Sequence, residues 1–157
     1  MYFADNLPGN VWQSSDRDLA SFGLDRVIAQ SGHSDLPPPI ELDIERWPDL
    51  TGQFDAVYSA NCIHIIDAKL VPPYVAGASQ SLKPGGLMLL YGPYKYGGEF
   101  STQSNADFDG FLRSTYSGGC IKDFETLNEL SRDNGLVFEQ DIAMPANNQF
   151  LIWRKTG

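Results

Sequence analysis

The sequence predicts one alternating α/β domain built around a largely parallel sheet, and three observations carry that expectation. Short apolar runs, above all Phe54–Ala60 and Leu87–Tyr91, alternate with longer segments of helical periodicity. The segments between them carry turn chemistry, as in Lys83-Pro84-Gly85-Gly86 and Met144-Pro145-Ala146-Asn147-Asn148. The chain has 157 residues, 42% of them apolar and 12% aromatic, which suffices for one core and is short for two. A single domain over residues 1–157 follows.

In chain order, the first strand is expected at Asn10–Ser15. A helix follows over Asp18–Gln30, where Leu19, Phe22, Val27 and Ile28 recur at roughly helical spacing and Gly32 marks the stop. Pro37-Pro38-Pro39 leads into a short strand at Ile40–Asp43, then a loop around Trp47-Pro48-Asp49. Phe54–Ala60 is the clearest strand and is expected to lie centrally in the sheet. Lys69–Leu82 reads as a helix, with Pro72 and Pro73 near its first turn, where a missing N–H costs little. After the Lys83–Gly86 turn, the continuous apolar run Leu87–Tyr91 suggests a strand covered on both faces. Helices are expected at Asp107–Ser114, entered through an Asn105 or Asp107 cap, and at Phe124–Asp133, which Gly135 ends. Leu136–Ile142 and Gln149–Arg154 close the fold as strands.

The formal charge of −9 disfavours a nucleic-acid backbone or an anionic membrane as partner, since both repel an acidic surface. No apolar run approaches the roughly 18 to 20 residues that span a bilayer, and Met1–Asp5 lacks the basic and apolar regions of a leader. A cytoplasmic protein is expected. Cys62 and Cys120 form no CxxC pair, so neither a metal site nor a disulfide framework is indicated. Asn61-Cys62-Ile63-His64 places a thiol near an imidazole, but the sequence offers no third group to orient them.

In open α/β sheets ligands bind beyond the carboxyl ends of strands, so the residues leaving each strand carry the functional weight. Here those are Asp16, Asp43, Asn61 with His64, and Tyr91. One carboxylate after a strand can accept both ribose hydroxyls of a nucleoside, and a second can accept an adenine amino proton, which suits Asp16 and Asp43. Each also suits an ordinary cap or turn. Asn61 can hydrogen-bond ligand or backbone, and His64 reads first as a wall residue. Arg113 pairs most simply with Asp109, four residues away on one helix.

Six segments together resemble one family: Trp12-Gln13-Ser14-Ser15-Asp16, Phe54–Asn61, Leu82–Gly86, Tyr91-Gly92-Pro93-Tyr94, Ser104-Asn105 with Phe108-Asp109, and Met144–Asn148. They are similar to the methyltransferase-like 26 family, from about Tyr2 to Lys155. The resemblance implies a class I methyltransferase (Rossmann-like) mixed sheet of order 3-2-1-4-5-7-6. It also implies S-adenosylmethionine as cofactor and no established catalytic residue; joined to the strand-end reading, Asp16, Asp43 and Asn61 are expected to contact that cofactor, and His64, Tyr91 and Asn105 to line a substrate pocket. A small-molecule or protein methyl acceptor follows, with no metal, while acceptor identity and oligomeric state stay open.

Relative to that family the chain reads as N-terminally truncated. The family's opening helix, first strand and glycine-rich loop, E-x-A-S-G-x-G-Q-H, would precede Tyr2-Phe3-Ala4, and Ser14 stands where proline is common. Removing a central strand orphans backbone groups on both neighbours, at a cost on the order of 10 kcal/mol, comparable to a domain's stability. The resemblance therefore leaves two expectations. The parent protein is an S-adenosylmethionine-dependent methyltransferase, or a member without catalytic function serves as an interaction or scaffold protein. An oxidoreductase is disfavoured, because G-x-G-x-x-G does not occur.

Overall fold

The computed structural model describes residues 2–157, apart from the side chain of Phe22, so the expected packing of that ring lies outside the described residues. The chain forms two compact units, Met1–Pro48 and Asp49–Gly157. The first holds helix α1 (Tyr2–Asn6), strand β1 (Ser15–Asp16), helices α2 (Leu19–Phe22) and α3 (Leu24–Ser31), and strand β2 (Ile40–Glu41). β1 and β2 pair in parallel, Ser15 with Ile40 and Asp16 with Glu41. The expected strands Asn10–Ser15 and Ile40–Asp43 shrink to these two-residue segments. Their flanks are held instead by single bonds, Trp12 N–H to Asp35 C=O and Leu42 N–H to Asp16 C=O. The helix expected over Asp18–Gln30 divides at Gly23, whose left-handed conformation (φ 59°) ends α2 as Asp18 caps its start. Gly32, also left-handed, ends α3 as expected. Ala4, Ile28 and Leu36 form the small core, with Trp12 and Leu24 packed against it.

The second unit opens with β3 (Phe54–Ala60), then α4 (Cys62–Ile65), a 3₁₀ turn at Ala68–Leu70, α5 (Val71–Ser81) and β4 (Leu82–Gly92). The hairpin β5 (Lys95–Tyr96) and β6 (Glu99–Phe100) follows, then α6 (Gln103–Thr115), α7 (Phe124–Asp133), β7 (Leu136–Met144) and β8 (Asn148–Lys155). The four-stranded sheet runs β3-β4-β8-β7: β3 and β4 are parallel, and β8 pairs antiparallel with both β4 and β7. The sheet is thus mixed. Its order and the β1–β2 pair reproduce the 4-5-7-6 and 2-3 segments of the implied order, in separate sheets.

Four expectations change here. β3 is an edge strand of its sheet, not a central one. The Lys-Pro-Gly-Gly segment is absorbed into β4 as an irregularity: Phe54 faces Leu82, but Ala56 already faces Leu87. β4 is sealed on one face only, with Met88 and Leu90 buried while Leu87, Leu89 and Tyr91 are half-buried. Helix α6 starts at Gln103 with Thr102 as its cap, so neither Asn105 nor Asp107 plays that part. The core gathers Met88, Leu90, Leu151 and Trp153 from β4 and β8 against Val75, Ala78, Leu127 and Leu136. Trp153 Nε1 donates to Asn128 Oδ1, which satisfies its one polar atom. Among the described residues, no helix is long and apolar enough to cross a membrane.

Candidate functional site

The acidic strand ends Asp16 and Asp43 both lie in the first unit, at the same end of the parallel pair β1–β2. Asp16 Oδ1 accepts the Asp18 N–H at 3.0 Å, which folds the chain away after the strand. Asp43 lies two residues beyond β2; its carboxylate accepts the Glu45 N–H at 3.0 Å and the Arg46 guanidinium at 3.1 Å. Those two donors, the Glu45 amide first, hold its carboxyl below the usual carboxylate range. Beside them lies an open cleft of about 570 Å³, whose charged walls are Arg17, Asp18, Glu41, Asp43, Glu45 and Arg46. Asp16 is not among its lining residues. Arg46, which engages Asp43, is the group sequence reading passed over. Its position three residues on was the available signal.

For the adenosine portion of S-adenosylmethionine these residues fit in part. Among the described residues, one carboxylate oxygen of Asp16 is unengaged, and the Arg46–Asp43 pair, whose arginine is 85% exposed, is the kind a ligand displaces at little cost.

Asn61, Tyr91 and Asn105 meet in the second unit. Asn61 ends β3 in the left-handed conformation (φ 58°), its N–H bonded to Tyr91 C=O, and opens α4 without a side-chain cap. Its carboxamide, with Pro93, Ser104, Asn105, Phe108, Ala146 and Asn148, lines a cavity of about 270 Å³. Asn105 Nδ2 donates to Ser101 Oγ at 2.9 Å and to Asn147 C=O at 3.2 Å, tying α6 to the β7–β8 turn. Asn148 Nδ2 donates to the Tyr91 hydroxyl at 3.1 Å and to Pro145 C=O at 3.2 Å. Tyr91 therefore supports the wall through Asn148. Among the described residues, the non-glycine residues with positive φ are Asn61, Ala146 and Asn147; the first two line this cavity, and the carbonyl of the third accepts from Asn105 in its wall. Such strain persists where surrounding structure holds it, commonly at ligand sites.

His64 sits behind this wall, fully buried. Its Nδ1 accepts the Lys122 N–H at 3.3 Å, which places the ring proton on Nε2. Nε2 has no hydrogen-bond partner among the described residues. A Cβ at Gly92 would come within 2.5 Å of it, and the ring meets Tyr94 edge-on at 5.0 Å. Burial, reinforced by the Lys122 charge, lowers its pKa to about 3, so it is neutral near pH 7. An imidazole with so low a pKa is a poor proton acceptor, and wall packing is the role its geometry suits. The Arg113–Asp109 pair forms as expected, and Asp109 also accepts the Ile121 N–H at 2.7 Å.

Ser104, Phe108 and Asn148 belong to this cavity although no site role was read for them. The Ser104–Asp109 and Met144–Asn148 segments that carried the family resemblance were the signal.

The DUF938 family, a protein of unknown function by its description, matches residues 1–155. Among solved structures, an O-methyltransferase family protein from Burkholderia thailandensis shares 19% identity at a TM-score of 0.77, over 98% of this chain and 46% of that one. An O-methyltransferase family 2 protein from Planctomyces limnophilus, solved in complex with apigenin, shares 19% at 0.78, over 98% and 46%. Human N-acetylserotonin methyltransferase in complex with SAM shares 15% at 0.78, over 98% and 43%. These likenesses establish a class I methyltransferase fold, and the chain spans less than half the length of each structure.

Proposed function

We propose that this chain, which belongs to the DUF938 family, is a methyltransferase-like domain that binds S-adenosylmethionine and serves methyl transfer to a small-molecule or protein acceptor. The resemblance to the methyltransferase-like 26 family points the same way. The observation that carries the reading is the placement of Asp16 and Asp43 at one end of two hydrogen-bonded parallel strands, in a fold shared with methyltransferases. In this reading the carboxylates take the ribose hydroxyls and the adenine amino group. When bound, the cofactor supplies an electrophilic methyl group on a sulfonium. The protein's part is then to hold the acceptor in line rather than to move many protons. Asn61 and Asn105, with Tyr91 bracing Asn148, form the acceptor wall, and neutral His64 backs it.

One observation favours a second reading, an interaction protein that keeps the shape without the cofactor: Asp43 is already engaged by Arg46 and the Glu45 amide. Calorimetric titration with S-adenosylhomocysteine separates the two. Micromolar binding, weakened at least tenfold in Asp16→Ala, is the expected result. A flat titration of the folded protein removes the cofactor reading in favour of the second.

A further inference from the structure

The cavity between α6 and the β7–β8 turn carries information about its own ligand, in the hydrogen-bonding capacity its walls leave unused. Asn105 and Asn148 each have one amide N–H on a backbone carbonyl, of Asn147 and Pro145 respectively. A carbonyl can only accept, so neither carboxamide can be flipped without placing oxygen against oxygen. Their second N–H groups are also engaged, by Ser101 Oγ and the Tyr91 hydroxyl. What each residue has left, among the described residues, is Oδ1, an acceptor. The Asn61 carboxamide and the Ser104 hydroxyl complete the polar lining, and among the described residues the lining carries no charge.

The apolar part is aromatic. Phe108 lines the cavity and stacks on Phe111 at 6.1 Å between centroids and 18° between planes, and both rings are exposed, by 37% and 54%. The pair is an exposed aromatic patch that meets the cavity at Phe108. About 270 Å³ is just below the usual range for small-molecule sites, which suits one ring with its substituents.

We infer that this cavity takes an uncharged planar ligand bearing paired hydrogen-bond donors, hydroxyl or N–H, of which an aromatic vicinal diol is the simplest form. Two fixed carbonyl oxygens call for two donated protons. An ether or methylated analogue offers those oxygens no proton, which sites built to receive one reject. A carboxylate would meet the two oxygens repulsively in a chain of net charge −9. A buried ammonium would find no counter-charge on the walls. The inference rests on the proposal that this cavity is the acceptor side, and it names the acceptor class.

The test is an NMR titration of the ¹⁵N-labelled chain without cofactor, using catechol, 1,2-dimethoxybenzene, benzoate and benzylamine. Catechol is expected to shift the side-chain amides of Asn61, Asn105 and Asn148, and to bind about tenfold or more tightly than the other three. Phe108→Leu, an exposed position that keeps an apolar side chain, is expected to weaken catechol several-fold while leaving the spectrum of the free protein largely unchanged. Ser104→Ala provides a second variant should Phe108→Leu perturb the fold. Equal or tighter binding of any competitor overturns the inference, as does catechol perturbing other residues or no response to any probe. Because no cofactor is present, a failed S-adenosylhomocysteine titration leaves this outcome intact, and the converse also holds.

Discussion

In the unit Met1–Pro48 each strand of the parallel ladder contributes two residues, and the core beneath is Ala4, Ile28 and Leu36. In Asp49–Gly157, β4 pairs with β3 on one side and β8 on the other, with Met88, Leu90, Leu151 and Trp153 at most 1% exposed. The carboxylates proposed to hold a nucleoside therefore stand on thin support, and the proposed acceptor wall on a deep core. Local opening free energy follows buried apolar contact, so ligand binding has more order to impose on the first unit than on the second.

The strongest way to break this comparison is to remove one core side chain from each unit. Trp153→Ala deletes a fully buried indole that packs on Phe138 at 5.4 Å between centroids, and it is expected to cost about 3 to 5 kcal/mol. Hydrogen exchange should then accelerate across β3, β4, β7 and β8 together. Ile28→Ala, at a residue 7% exposed, is expected to accelerate exchange in α3 and β1 while β4 and β8 keep their protection. Lost protection of β4 in Ile28→Ala would mean the two units unfold as one.

What could be read in advance follows the same division. β3 and α7 fall at the expected residues, since Phe54–Ala60 and Phe124–Asp133 have strong patterns and well-marked ends. The first unit was legible only in outline: Asn10–Ser14 looks like strand, yet propensity does not create a partner to pair with. Gly23 broke a helix whose apolar spacing runs through it, because a left-handed residue interrupts the backbone whatever its neighbours bury. At the candidate sites, strand-end reasoning pointed to Asp16, Asp43 and Asn61, since it depends on topology alone; Asp43 and Asn61 line cavities and Asp16 does not. It could not find Phe108 or Asn148, which reach the cavity through the packing of α6 against a turn some 40 residues away.

A smaller effect sharpens the account of the second unit. The His64 pKa falls from 6.5 to about 3 on folding, so the unfolded chain takes up a proton that the native protein refuses. The stability tied to neutral His64 is intact above pH 6.5 and is lost as pH falls towards 3, at up to about 1.4 kcal/mol per pH unit. Asp43, Asp123 and Glu139, also lowered in the fold, contribute in the same direction only within the carboxylate range. Urea midpoints between pH 6.5 and 5 therefore report mainly on histidine. His64→Gln is expected to flatten that slope, and an unchanged slope would mean that His64 is not the group that titrates.

The smallest expected effect bears on the first unit's carboxylates. Arg46 is 85% exposed and holds Asp43 from the solvent side, so Arg46→Ala should leave the thermal midpoint unchanged within error. Its consequence belongs to binding. If Asp43 accepts an adenine amino proton, removing the arginine removes a competitor for the same oxygens, and S-adenosylhomocysteine should bind as well or somewhat better. Weaker binding in Arg46→Ala would mean that the guanidinium itself touches the ligand, transferring the recognition role from Asp43 to Arg46 while leaving Asp16 in place. The double variant with Asp43→Asn then decides the matter, because two residues acting on one ligand atom give non-additive losses, and a spectator contributes nothing.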